Sequence, residues 1–239
     1  MYSILLLVSM FFFDSPDYKK IFGTDYDTAT LFVKQNKQLI AMSCTRYNTD
    51  TAEVISTVFP ELIRYSMVRD YFETKALEVV YIDYGSDYAD FSIGRFQMKP
   101  SFVEKLEAYI RNTSGLDNPL LVQICTYPSE LPTLIRKQRI ERLRSLDWQL
   151  KYINCFYIVV TNKFANNHWL SNVDKLRFIA TAYNTGFEKS FDDINKCMQA
   201  KLFPFGKVPV GASTYVTQYP YCDVSAFFYT HHYTKIFSK

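Results

Sequence analysis

A single, mainly α-helical domain is the fold this sequence predicts, and three observations lead there. Apolar residues recur along most of the chain at helical rather than alternating spacing. The 239 residues are 48% hydrophobic, enough to bury one substantial core. No internal repeat, low-complexity tract or inter-domain linker divides them. Irregular loops and at most a small β element complete the expected architecture.

The elements follow in order. Leu31, Val33, Leu39 and Ile40 mark a first helix. A second covers 53–68, with Val54, Ile55, Val58, Leu62 and Ile63 on one face. Pro60 lies inside it and is expected to kink it or begin a new turn. The stretch 71–84 continues helically and stops at Gly85, a fitting terminator. Pro100-Ser101 opens a helix over 100–111, and 112–119 is a polar loop. A long, charge-laced helix spans 131–150, with Pro132 suited to its first turn. Residues 152–160 are apolar except for Asn154, which fits a buried strand and a buried helix equally. Helices over 169–183 and 187–201 follow, the first ending at Asn184-Thr185-Gly186. After Phe203-Pro204-Phe205-Gly206 the chain is rich in Tyr, Pro and Val, with a last helix over 223–237.

Residues 1–15 stand apart. An apolar run from Ile4 to Phe13, broken only by Ser9, ends at Asp14-Ser15-Pro16. It is too short to span a bilayer as a helix, and it matches the apolar region of a secretory signal peptide. A buried N-terminal helix is the alternative. Export to a periplasm or cell envelope is therefore expected, with the folded domain over 20–239 and any membrane association peripheral. The net charge of +3 is too small to imply a polyanionic partner. The nearest basic cluster, Arg136-Lys137-Gln138-Arg139 with Arg142 and Arg144, reads as one helix face, so nucleic acid is not an expected partner. Five cysteines stand far apart, with no Cys-x-x-Cys pair and no His at zinc-ligand spacing. No structural metal site is expected. Buried thiols and one or two disulfides both remain compatible with that spacing.

Three short stretches carry chemistry. In Val58-Phe59-Pro60-Glu61-Leu62 a carboxylate stands in an otherwise apolar helix. Burial there disfavours the ionised form and raises the pKa, as a general acid near neutral pH requires. In Asp90-Phe91-Ser92-Ile93-Gly94-Arg95-Phe96-Gln97-Met98-Lys99-Pro100, Gly94 lets backbone pass close to a ligand, and Gln97 can offer its amide to a sugar. In Ala182-Tyr183-Asn184-Thr185-Gly186, Tyr183 supplies a phenol at a helix end. Arg64, Arg69 and Asp70, downstream of Glu61, fit the site and a helix surface equally, and His168-Trp169 reads as a packing pair. His231-His232 lack a third metal ligand. Tyr219, Tyr221, Asp223 and Tyr229 fit either one end of a sugar groove or a cover over the domain.

In that order the three stretches resemble the soluble lytic transglycosylases and goose-type lysozymes. In that family a catalytic Glu on a helix precedes a Gly-x-x-Gln-Met-x-Pro stretch and an Ala-Tyr-Asn-x-Gly stretch. The resemblance covers about 50–190; an aromatic extension over 200–239 lies outside it. It implies a lysozyme-like domain, with peptidoglycan glycan strands as the partner and no cofactor. Glu61 becomes general acid and then general base. Gln97 and Met98 line the groove, Gly94 keeps it open, Tyr183 hydrogen-bonds the catalytic carboxylate, and Asn184 contacts the substrate. Three features differ from the family pattern: Leu62 replaces a Ser after the Glu, a helical stretch lengthens the path to Gln97, and Arg95-Phe96 replaces Gly-Leu.

Ordinary glycosidases use two carboxylates, about 5–5.5 Å apart for retention and 6.5–9.5 Å for inversion. The family resembled here manages with one: the acid protonates the leaving oxygen, and the muramoyl sugar's own 6-hydroxyl closes a 1,6-anhydro ring. A hydrolytic, lysozyme-type reading needs a second carboxylate to hold water. Among Asp83, Asp87 and Asp90, Asp90 is best placed by position, although turn formation accounts for all three. A glycan-binding envelope protein without activity is the third reading.

Overall fold

The computed structural model describes residues 16–67, 72–205 and 217–237, and within them the chain is mainly helical. The leader expected over 1–15 falls outside the described residues, as do Arg69 and Asp70. No described helix is long and apolar enough to cross a membrane. One two-stranded antiparallel sheet joins β1 (Lys201–Phe203) to β2 (Tyr219–Pro220).

The expected first helix is two. α1 (Tyr18–Gln35) is capped by Asp17, whose side chain accepts from the Lys20 amide, and it bends at Gly23, where φ is +51°. α2 (Lys37–Tyr47) ends on Asn48 in the left-handed conformation, a common terminator because Asn tolerates positive φ. α3 (Thr51–Met67) carries Glu61. Every residue from Glu53 to Ile63 in it is buried, so the expected single apolar face gives way to enclosure on all sides. α1, α9 (Asn172–Thr185) and α11 (Tyr221–Phe228) supply most of that cover. Phe59 stacks on Phe228 with ring centroids 3.8 Å apart, fixing α11 against α3.

α4 (Phe72–Tyr84) stops at Gly85, where φ is +95°, as its glycine foretold. α5 (Pro100–Asn112) follows, and α6 (Pro119–Cys125), capped by Asn118, was missed because it is seven residues long. The single helix expected over 131–150 breaks at Ser145 into α7 (Pro132–Arg144) and α8 (Leu146–Lys163). The ambiguous segment 152–160 is helical, the buried middle of α8. α10 (Phe191–Cys197) is shorter than expected because the chain turns into β1. After β2, α11 passes through a π turn (Tyr229–Tyr233) into α12 (Thr234–Phe237).

A charged network locks α4, α5 and α7 together. Arg139 pairs with Glu107 at 2.7 Å and Glu104 at 3.1 Å, and it donates to the Tyr81 hydroxyl at 2.7 Å. Glu107 also accepts from Tyr127 and, at 3.4 Å, from Tyr152. Glu107 has no solvent-exposed surface, so each of these donors replaces lost hydration. Cutting one partner leaves a buried charge unpaired. Glu107→Ala is expected to lower stability by about 3–5 kcal/mol, read as a drop in urea midpoint without a change in the slope of the transition.

Candidate functional site

Pro60 shapes the helix that presents Glu61. Lacking an N–H, it cannot bond the Ser56 carbonyl, and its ring crowds that turn. The next carbonyl, that of Thr57, accepts from the Tyr221 hydroxyl at 3.1 Å. Tyr221 comes from the first turn of α11, which brings the C-terminal segment directly beneath the acid.

Glu61 is 3% exposed. Both its oxygens lie 2.7 Å from one guanidinium nitrogen of Arg64, one helical turn along. Arg64 is held in turn by its Nε donating to the Pro204 carbonyl at 3.0 Å and by the Phe203 ring 5.2 Å beneath it. Two forces oppose each other at the carboxyl. Burial raises its pKa, while the Arg64 charge and hydrogen bonds, Tyr221 and Lys99 lower it. Burial is the larger, so Glu61 sits above the ordinary carboxylate value of 4.5. Arg64 is therefore no helix-surface charge. Its i,i+3 spacing from Glu61 was the signal available in the sequence.

The second motif folds as a tight hairpin. Ile93 and Met98 exchange both backbone hydrogen bonds, at 2.9 and 3.1 Å, and Gln97 donates its amide to the Gly94 carbonyl at 3.1 Å. Gln97 adopts φ of +48°, uncommon for a non-glycine, and its side-chain amide also donates to Gly94 at 2.9 Å. The turn is gripped at Phe96 from both sides. The Gln149 side chain accepts the Phe96 amide at 2.8 Å, and the Phe96 carbonyl accepts the Tyr183 hydroxyl at 2.6 Å. Gln149 donates through its Nε2 to the Leu143 carbonyl at the end of α7, 2.8 Å away.

These contacts correct two expectations. Gly94 does not hold a groove open toward ligand. A Cβ there would meet Gln149 Nε2 at 2.1 Å and the Leu143 carbonyl at 2.6 Å, so the bare α-carbon makes room for the amide clamp. Tyr183 does not donate to the carboxylate, because its one hydroxyl hydrogen goes to Phe96. Phe102 and Phe156 meet its ring edge-on at 5.2 and 5.3 Å and fix that direction. The carboxyl's hydrogen-bond partner is Arg64 instead, while the Tyr221 hydroxyl, beneath it, donates to the Thr57 carbonyl.

One cleft of about 550 Å³ gathers Glu61 and Arg64 from α3, Gln97 and Met98 from the hairpin, and Tyr183 and Asn184 from the end of α9. Ser92, Lys99, Phe102, Pro204 and Phe205 complete much of its wall. Five of the residues singled out from the sequence thus meet across more than a hundred positions of chain. Asp90 is not among the cleft's lining residues. Its carboxylate accepts from the Ser101 amide at 3.1 Å and hydroxyl at 2.8 Å, at the start of α5, and it pairs with Lys99 at 3.5 Å. Capping occupies Asp90, so the second carboxylate expected there is a structural one.

No protein family, curated protein or solved structure matches this chain. The cleft is read from its own chemistry. It offers one enclosed carboxyl, two cations beside it, an amide, an exposed Asn and the apolar rings of Phe102 and Phe205, a set suited to a polar ligand with flat faces. The five cysteines are free thiols, and among the described residues no group of three or more His, Cys, Asp or Glu is placed to hold a metal. Tyr219 packs edge-on against Tyr18 at 5.3 Å and Trp169 against Phe178 at 4.9 Å. His231 stacks on Phe227 at 4.5 Å. All three serve packing.

Two outcomes follow. Removing Gly94's freedom by Gly94→Ala, against both a positive φ and the Gln149 amide, is expected to cost about 2 kcal/mol or more, seen as a lowered Tm. The Glu61 carboxyl is harder to ionise folded than unfolded. Its contribution to stability is therefore full at low pH and declines as pH rises through the elevated folded pKa. Arg64→Gln removes the attraction favouring the carboxylate and is expected to move that decline to higher pH, measured by carboxyl NMR titration of Glu61.

Proposed function

We propose that this protein cleaves the glycan strands of peptidoglycan as a lysozyme-like lytic transglycosylase, with Glu61 as its only acid-base group. One observation carries the reading: Glu61, Gln97, Met98, Tyr183 and Asn184, the residues of three separated motifs, line a single cleft. Supporting it, the carboxyl is enclosed and its pKa is raised, as proton donation to a departing glycosidic oxygen requires.

The steps assigned to this chain are few. Glu61 gives its proton to the oxygen leaving between the muramoyl and glucosaminyl sugars. Arg64 stabilises the carboxylate left behind, which keeps it able to take a proton back. That carboxylate accepts the hydrogen of the muramoyl 6-hydroxyl as its oxygen bonds to the anomeric carbon, giving a 1,6-anhydro ring without water. An intramolecular nucleophile needs only positioning, and the cleft wall supplies it. The exposed Asn184 amide and the Gln97 side chain are the contacts available to N-acetyl and hydroxyl groups.

Hydrolysis of the same bond is the second reading. The use of Asp90 as a helix cap disfavours it by removing the best-placed second carboxylate. Export to the bacterial envelope is part of the proposal, since that is where the substrate lies.

Incubating the purified protein with isolated cell wall and analysing soluble products by mass spectrometry tests this. Anhydro-ended muropeptides are expected, and reducing-ended products would favour hydrolysis. Glu61→Gln is expected to lower turnover about a thousandfold. Unchanged product release by that variant would remove Glu61 from the chemistry. Asn184→Ala is expected to raise KM with a smaller effect on kcat.

A further inference from the structure

Arg95 is one of the residues at which the hairpin differs from the family pattern, and it points away from the chemistry described so far. Its guanidinium lies over the Tyr65 ring at 4.3 Å and within 5.1 Å of the Phe32 ring. Among the described residues no carboxylate forms an ion pair with it, and no carbonyl accepts from it. Ring contacts engage the flat faces of a guanidinium and leave its in-plane N–H donors free. Those donors are the ones that grip a carboxylate in a bidentate fork.

The same Arg95 borders a cavity of about 450 Å³ that also contains Asp25, Ser66, Tyr65 and Phe32. Asp25 accepts from the Ser66 hydroxyl at 2.8 Å, which orients its carboxylate but neutralises no charge. No ion pair joins Asp25 to Arg95. The cavity therefore presents one cation and one anion, each without a charged partner among the described residues, with aromatic surface at its wall. It shares both of its main supports with the cleft. α3 gives Glu61, Arg64 and Met67 to the cleft and Leu62, Tyr65 and Ser66 to this cavity. The hairpin gives Gln97 to one and Arg95 to the other.

We infer that this second cavity is a binding subsite for a zwitterionic peptide, with a carboxylate held by Arg95 and an ammonium by Asp25. Resting on the glycan-cleaving reading above, the occupant is the short peptide that the muramoyl sugar carries, one that ends in a diamino acid. Such a peptide has carboxylates and a free amine, the two charges that the cavity matches. A glycan seated in the cleft with its peptide across the hairpin would be gripped at two points, and peptide-bearing strands would be preferred over bare ones.

The test is calorimetric titration of the full chain with a synthetic stem tripeptide whose last residue is a diamino acid. Saturable binding is expected, weakened at least tenfold by Arg95→Gln and by Asp25→Asn, and unchanged by Glu61→Gln. Amidating the tripeptide's carboxylates is expected to weaken binding to the same degree. Circular dichroism checks that each variant is folded; Arg95 is exposed and Asp25 half-buried, so neither change removes a buried core group. No saturable binding by the unaltered protein overturns the subsite, as does equal binding by both charge variants. Tripeptide binding with no release of products from cell wall would leave the subsite standing and overturn the glycan-cleaving reading alone.

Discussion

Enclosure of α3 is the constraint on which the rest depends. From Glu53 to Ile63 this helix has no solvent face, so its one central carboxylate must exist without bulk water. An isolated carboxylate there would simply take up a proton. Placing Arg64 a turn away, anchored on the Pro204 carbonyl, gives the ionised form a partner without cancelling the effect of burial. The site can therefore hold either protonation state. That balance is what the acid-then-base role proposed for Glu61 requires.

The same enclosure explains why the C-terminal segment belongs to the site. α11 covers α3 through the Phe59–Phe228 stack, Tyr221 reaches the turn loosened by Pro60, and the β1 end supplies Phe203 and Pro204 to Arg64. An extension beyond the motif-bearing core thus supplies part of the floor under the acid. Ring-to-ring packing joins these elements, with Tyr26 of α1 edge-on to Phe59 of α3, and Phe59 stacked on Phe228 of α11.

Helical periodicity made the rough positions of the long helices readable, because most bury a stripe recurring every three to four residues. Break points were less readable. Asn36 and Ser145 interrupt otherwise continuous patterns, and nothing local distinguishes them from helix interiors. In the cleft, Glu61, Gln97, Met98, Tyr183 and Asn184 were legible because their motifs are local. Their hydrogen bonds were not. Tyr183 turns toward Phe96 and Gly94 toward Gln149, through contacts that span 87 and 55 residues. Asp90 illustrates the converse: its position along the chain suggested chemistry, while its nearest donors, at Ser101, make it a cap.

The grip on Phe96 has a thermodynamic meaning of its own. One amide of the ligand-facing hairpin is tied to Gln149 and its carbonyl to Tyr183, and Gln149 is also tied to the end of α7. The left-handed turn at Gln97 is therefore selected when the protein folds, not when a ligand arrives. A ligand meeting a wall already ordered loses little affinity to ordering it, so more of the contact energy remains for binding.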